Sequence, residues 1–124
     1  MIILDLSCNR FTGRIMNMAT MVNLSVLNLS HNRFSGEIPE ALENLKKLRS
    51  LKMHGNLLEG LIPPWMGSLV QLKELNLSHN QLVYVNCYCF LFHCNLMFFF
   101  IFYDAIVLVR LVGGLESLLT LVKL

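Results

Sequence analysis

Short apolar pairs of the form Leu-x-Leu recur along the first two thirds of the chain: Leu4/Leu6, Leu27/Leu29, Leu51/Met53 and Leu75/Leu77. Alternation of this kind puts both side chains on one face of an extended strand. An asparagine follows each pair, and Asn9, Asn32, Asn56 and Asn80 stand 23, 24 and 24 residues apart. The next landmarks keep phase: a large apolar residue (Phe11, Phe34, Leu58, Leu82), then Gly13, Gly36 and Gly60, then Ile15, Ile38 and Ile62, with Pro39 and Pro63 after the last two. Leu42, Leu45 and Leu48 then lead at every third position into Leu51. The pattern predicts a repeated unit of strand, turn, second extended piece and loosely helical return.

Stacked units of this kind pair their strands into a parallel sheet whose inner face is the core. The asparagine amide brings donors and an acceptor to backbone groups that the turning chain leaves unpaired, a role no apolar residue fills. Glycine suits the tight backbone beyond it, and a proline after isoleucine ends the extended segment because it cannot donate a ladder bond. The period lies in the leucine-rich-repeat range. The segments LNLSHNRFSGEIPEALENLKKL (27–48) and LKMHGNLLEGLIPPWMGSLVQL (51–72) resemble the plant-type leucine-rich repeats of receptor-like proteins and receptor-like kinases, with SGEIP as the subclass mark. The resemblance covers residues 1–82. It implies an α/β class solenoid, a right-handed superhelix with a parallel β-sheet on its concave face and a second short strand near the Gly-x-Ile-Pro element. Met16 departs from it, standing where proline is expected, and the first repeat is one residue short before Leu24.

A chain of 124 residues holds one domain at most, with a tail. Residues 1–82 are expected to form about three and a half repeats. Solenoid ends need polar caps, and Met1-Ile2-Ile3-Leu4 opens directly on a strand, so the chain is expected to be part of a longer array. The opening also lacks the basic start and unbroken apolar stretch of a secretory signal, since Asp5 interrupts it. The net charge of +2 comes from basic residues scattered over turns and returns, without an aromatic-interleaved stripe, and predicts no nucleic-acid partner.

Beyond Val83 the landmarks fail together, and no Asp, Glu, Lys or Arg occurs from Leu75 to Tyr103. Three readings of the 83–124 tail stand side by side. Leu82 to Phe102 is long and apolar enough for a transmembrane helix, although Asn86, His93 and Asn95 interrupt it. Alternatively the repeat continues in degenerate form, with Phe99 and Ile101 as the apolar pair, Asp104 for the asparagine, and Leu115, Leu118, Leu121 and Leu124 heading a further unit; Phe98, Phe100 and Phe102 would then face outward. The third reading takes residues 83 to 112 as translated non-coding sequence, since thymine-rich codons yield such a run of Phe, Tyr, Cys and Leu.

Residues that flank the core leucines on the strands face away from the core. They give a candidate ligand-binding face of Val26, Asn28, Ser30 and His31; Ser50, Lys52 and His54; and Glu74, Asn76, Ser78 and His79, with Asp5 and Ser7 continuing the rows. Solvated strand positions would look the same in sequence. Asn23, Asn28 and Asn76 open Asn-x-Ser sequons and are candidate glycosylation sites, two of them on that face. Cys87, Cys89, His93 and Cys94 cluster in the tail but lack the spaced pairs of a zinc site, so no metal and no cofactor is predicted. Neither a phosphate loop nor a nucleophile elbow nor a kinase signature is present, which predicts no catalytic residues.

What the resemblance implies is a non-enzymatic module at the plasma membrane. Its repeats would be extracellular and its partners a peptide or protein ligand, a co-receptor ectodomain and, through the tail, the membrane. The competing expectation is a truncated receptor fragment without independent function.

Overall fold

A computed structural model describes residues 1–83 throughout and, further on, the backbone of two strands at 97–102 and 105–110. The repeat becomes four coils. The first strand of each is β1 (Ile2–Asp5), β3 (Leu24–Asn28), β5 (Ser50–Lys52) and β7 (Glu74–Asn76). These pair in parallel, with Leu4 opposite Leu27, Leu27 opposite Leu51 and Leu51 opposite Leu75. The register step equals the asparagine spacing, so each leucine lands on its counterpart and the pair leucines of coils two to four are buried.

The second strands, β2 (Thr12–Arg14), β4 (Arg33–Gly36), β6 (Leu57–Leu61) and β8 (Gln81–Val83), form a four-stranded minor sheet. β4 and β6 run into the two Gly-x-Ile-Pro elements, where the resemblance implied a second strand. Their register is two residues shorter than the repeat: Gly13 stands opposite Phe34, Gly36 opposite Leu58 and Gly60 opposite Leu82. An even offset preserves the inner and outer faces, so glycine lies beside the next coil's large apolar residue rather than beside its glycine.

The returns are 3₁₀ rather than α-helical: η1 spans Glu40–Asn44 and η2 spans Pro64–Ser68. Leucine at every third position is the reason. A 3₁₀ turn has three residues per turn, and the apolar residues donate in series, Leu42 to Pro39, Leu45 to Leu42 and Leu48 to Leu45 at 3.0–3.1 Å. Met66, Leu69 and Leu72 repeat this in coil three. The expected solenoid of parallel sheets holds, whereas the α part of the α/β expectation is met only by these 3₁₀ returns, with no α-helix among the described residues.

The asparagines do what their chemistry requires. Asn56 Nδ2 donates to Met53 O of its own coil and to Leu29 O of the preceding one, both at 3.0 Å, and its Oδ1 accepts from Phe34 N at 3.0 Å. Asn32 and Asn80 repeat the arrangement with Leu6 and Phe11, and with Met53 and Leu58. Each rung thus ties two coils together through three backbone groups that have no strand partner.

The tail departs from the transmembrane reading. Leu82 and Val83 belong to β8, and the far end of the expected 82–102 span is β9 (Met97–Phe102); residues 84–96 lie outside the described residues. Among the described residues no helix is long and apolar enough to cross a membrane. β9 does put an extended segment at Phe99 and Ile101, where the degenerate repeat expected its pair. The strand beside β7, however, is β10 (Ala105–Arg110), antiparallel to both β7 and β9. Only two residues connect β9 to β10, too few for the crossover a parallel pair needs. The cysteine and histidine cluster at 87–94 and the leucines at 115–124 lie outside the described residues, as do the side chains of Phe98, Phe100 and Phe102.

Candidate binding face

The outward residues of the major sheet fall into four rows. Register aligns Val26, Ser50 and Glu74 in the first row and Asp5, Asn28, Lys52 and Asn76 in the second. Ladder bonds continue beyond the strands, from His31 N to His54 O and from Gly55 N to Ser78 O. They place Ser30, His54 and Ser78 in a third row and His31, Gly55 and His79 in a fourth.

Coils two and four use their polar pair internally. Asn28 Oδ1 accepts from Ser30 Oγ at 2.7 Å and Ser30 N at 3.1 Å, and Asn76 accepts from Ser78 with the same two distances. Ser30 and Ser78 are only 3% and 2% exposed. Their hydroxyls therefore hold the neighbouring asparagine and do not reach outward. Asn28 also donates to Asp5 Oδ2 at 3.2 Å. Hydrogen bonds from Ser7, and behind them the one from Asn28, keep the exposed Asp5 carboxyl below its usual range.

Coil three breaks this arrangement at three positions. Lys52 replaces the asparagine, His54 the serine and Gly55 the histidine of the turn. Lys52 Nζ reaches Glu74 Oε1 at 3.0 Å while Ser50 Oγ donates to Glu74 Oε2 at 2.9 Å, so one carboxylate clasps two residues of the neighbouring strand. The pair is partly solvated and worth at most about 1 kcal/mol.

Gly55 makes room for the histidines. The residue before each ladder asparagine has a left-handed backbone, with φ of 55° at Cys8, 53° at His31, 69° at Gly55 and 52° at His79. A Cβ on Gly55 would stand 2.9 Å from His31 Nδ1. With none there, the His31 ring packs edge-on against His54, centroids 4.9 Å apart and planes at 86°. Burial first, then the neighbouring His31, Lys52 and His79, push the His54 imidazole below its ordinary pKa, with Glu74 opposing. His54 Nδ1 is buried without a hydrogen-bond partner among the described residues. Gly55 itself escaped sequence reasoning; its signal was a glycine at a position that carries Cys or His in the other coils.

The sequons differ in access. Asn23 is exposed before β3 and accepts from Lys47 Nζ at 2.7 Å, whereas Asn28 and Asn76 are half-buried and engaged by the serine of their own sequon. Among the described residues no three His, Cys, Asp or Glu side chains gather to hold a metal ion.

Family models described as leucine rich repeat match residues 2–58, 22–82 and 71–102. Receptor-like protein 32 of Arabidopsis thaliana is 45% identical over 89 residues, covering 66% of this chain and 10% of that protein. Receptor-like protein CLAVATA2 of the same plant is 44% identical over 66 residues, 53% of this chain and 9% of that protein. The solved structure of the Arabidopsis receptor kinase HAESA in complex with the peptide hormone IDA and the co-receptor SERK1 superposes with a TM-score of 0.64 at 41% identity, over 65% of this chain and 14% of that one. The chain spans about a tenth of the length of the curated relatives it matches. It belongs to the leucine-rich-repeat family and, within it, resembles plant receptor-like proteins and receptor kinases.

Proposed function

We propose that this leucine-rich-repeat chain is a non-enzymatic binding module that holds an extended peptide or a partner ectodomain against the outward face of its major sheet. One observation carries the reading. Coil three places Lys52 and His54 beside the Glu74 clasp of coil four on the outward face, outside the asparagine–serine hydrogen bonds of coils two and four. An ammonium and a carboxylate, each about a third solvated, offer a peptide both signs of charge, and a preformed sheet orders little on binding. HAESA, bound to a peptide hormone and a co-receptor, supports a peptide as the class of ligand.

The same reading puts the module at the plasma membrane with its repeats, residues 1–82, outside the cell. Asn23 is then the sequon most open to a glycan. Photo-crosslinking of the full chain against secreted plant peptides tests the binding reading, with the photoreactive residue at position 26 or 76 on the outward face or at exposed position 44 in η1. Discrete adducts from 26 and 76 alone are expected. Equal labelling from position 44, or none anywhere, would leave a receptor fragment without a binding role of its own.

A further inference from the structure

A second recognition feature lies away from the outward face. Where each minor-sheet strand turns toward its return, three successive coils enclose a groove of about 540 Å³. Coil one supplies Arg14, coil two Glu37 and Glu40 around Pro39, and coil three a proline pair and Trp65. Two glycines leave room for the charged side chains. Arg14 lies over Gly36, where an added Cβ would stand 3.1 Å from its Cγ, and Glu37 lies over Gly60, where the distance would be 2.9 Å. The ion pair found among the described residues is Lys52–Glu74, so the groove's carboxylates are not neutralised by a salt bridge within that set.

The walls are rigid. Pro39 and Pro63 hold φ of −69° and −68° where the 3₁₀ turns begin, so little ordering is required on binding. Trp65 packs partly against the core and still lines the groove. An indole beside prolines is a surface that takes a polyproline II segment, whose backbone is already extended and loses little entropy. Adjacent coils stand about 4.8 Å apart and a polyproline II segment rises about 3.1 Å per residue. One to two residues therefore separate an apolar contact at Trp65 from a charged contact at the coil-two carboxylates, which outnumber the guanidinium beyond them.

We propose that this groove binds an extended proline-rich peptide segment carrying a lysine or arginine. A proline of the segment packs on Trp65 and the basic residue pairs with Glu37 and Glu40. Trp65 is the only tryptophan in the chain, so its fluorescence reports on the groove directly. The experiment titrates the full chain with a short synthetic polyproline peptide that has a central lysine, and with the same peptide carrying glutamate there. A saturable Trp65 emission change is expected with the lysine peptide and a much weaker one with the glutamate peptide. Glu37→Gln combined with Glu40→Gln, both at exposed positions, should weaken the lysine peptide by about 2- to 30-fold, the range that two exposed ion pairs supply. Equal response to both peptides, no saturable response, or undiminished affinity in the double variant would overturn the proposal. The crosslinking test of the outward face stands or falls independently of that result.

Discussion

Replacing Asn56 with aspartate changes one NH₂ group to oxygen at the centre of the stack, where the side chain is only 6% exposed. The Phe34 N–H keeps its acceptor. Leu29 O and Met53 O, each 3.0 Å from the amide nitrogen, then face a carboxylate oxygen. Both carbonyls retain a second donor, Asn32 and Asn80 respectively, so the penalty comes from repulsion and buried charge more than from orphaned acceptors. Asn56→Leu is the reference: it strands the Phe34 N–H outright and removes half the donors of two carbonyls, about 2–4 kcal/mol in all. The ionised aspartate should cost roughly 3–5 kcal/mol.

Protonation distinguishes the two variants. Burial and the two carbonyls raise the folded-state pKa of Asp at this position above the unfolded value of about 3.9. The folded state then binds more protons than the unfolded chain, so stability falls as pH rises. The deficit of Asn56→Asp should be smallest below about pH 4, where a carboxyl proton supplies one donor. It should grow as pH climbs through the raised folded-state pKa, whereas the Asn56→Leu deficit stays flat. Urea unfolding followed by far-UV circular dichroism, at acid and neutral pH for the full chain and both variants, measures this. An aspartate variant matching the parent at neutral pH, or tracking the leucine variant at every pH, would refute the asparagine-ladder account.

The His54 imidazole, held neutral by burial, should make the parent chain lose stability as pH drops below about 6.5 and level off once the folded state is protonated too; His54→Ser should flatten that slope in the same unfolding experiment. Gly13 and Gly60 have nearly the same φ, 79° and 82°, but only Gly60 would bring a Cβ against Glu37, so Gly60→Ala should cost more than the roughly 1–2 kcal/mol of Gly13→Ala, and Glu37→Ala should close the gap. Lys52→Ala should change stability by less than about 1 kcal/mol while weakening any ligand of the outward face, a contrast that paired melts and binding titrations expose. Leu51→Ala, at a fully buried position, should cost about 2–5 kcal/mol.

Most of the coil architecture was legible because each landmark has a single physical job. Leu27 and Leu51 each head a Leu-x-Leu or Leu-x-Met pair and share a period, which determines both face and register. Asn56 was readable because an amide with donors and acceptor suits a turn whose carbonyls and N–H point into the core. The leucine spacing at 42, 45 and 48 also held the return's 3₁₀ character, although a loosely helical reading left its type open. The two-residue offset of the minor sheet was not legible, because it depends on how Phe34 and Leu58 settle beside Gly13 and Gly36 in three dimensions. The tail resisted for a different reason. Its residues are nearly all apolar, so helix, repeat and hairpin predict the same composition, and only backbone pairing separates antiparallel β10 from a fifth parallel coil.

Polar residues on the outward face divide by whether the repeat itself consumes them. Asn28 with Ser30, and Asn76 with Ser78, satisfy each other at 2.7 Å, so a ligand would have to break an internal bond to use their oxygens, and the serines are buried besides. Such pairs recur because they stabilise the strand's exit, which explains their presence without any partner. Coil three gives up that arrangement at Lys52, His54 and Gly55 together, and the three changes depend on one another. A lysine supplies no acceptor for a serine, so the serine position is free to carry an imidazole. That imidazole needs a ring partner, and His31 can provide it only because Gly55 has no Cβ in the way. A coil that gave up a stabilising pair for an imidazole with a buried, unpartnered nitrogen has lost local stability, and the clasp to Glu74 returns little of it. The polar groups of this face that the repeat does not consume are therefore concentrated on coil three and the Glu74 strand beside it, and that strand pair is where the proposed binding would be centred.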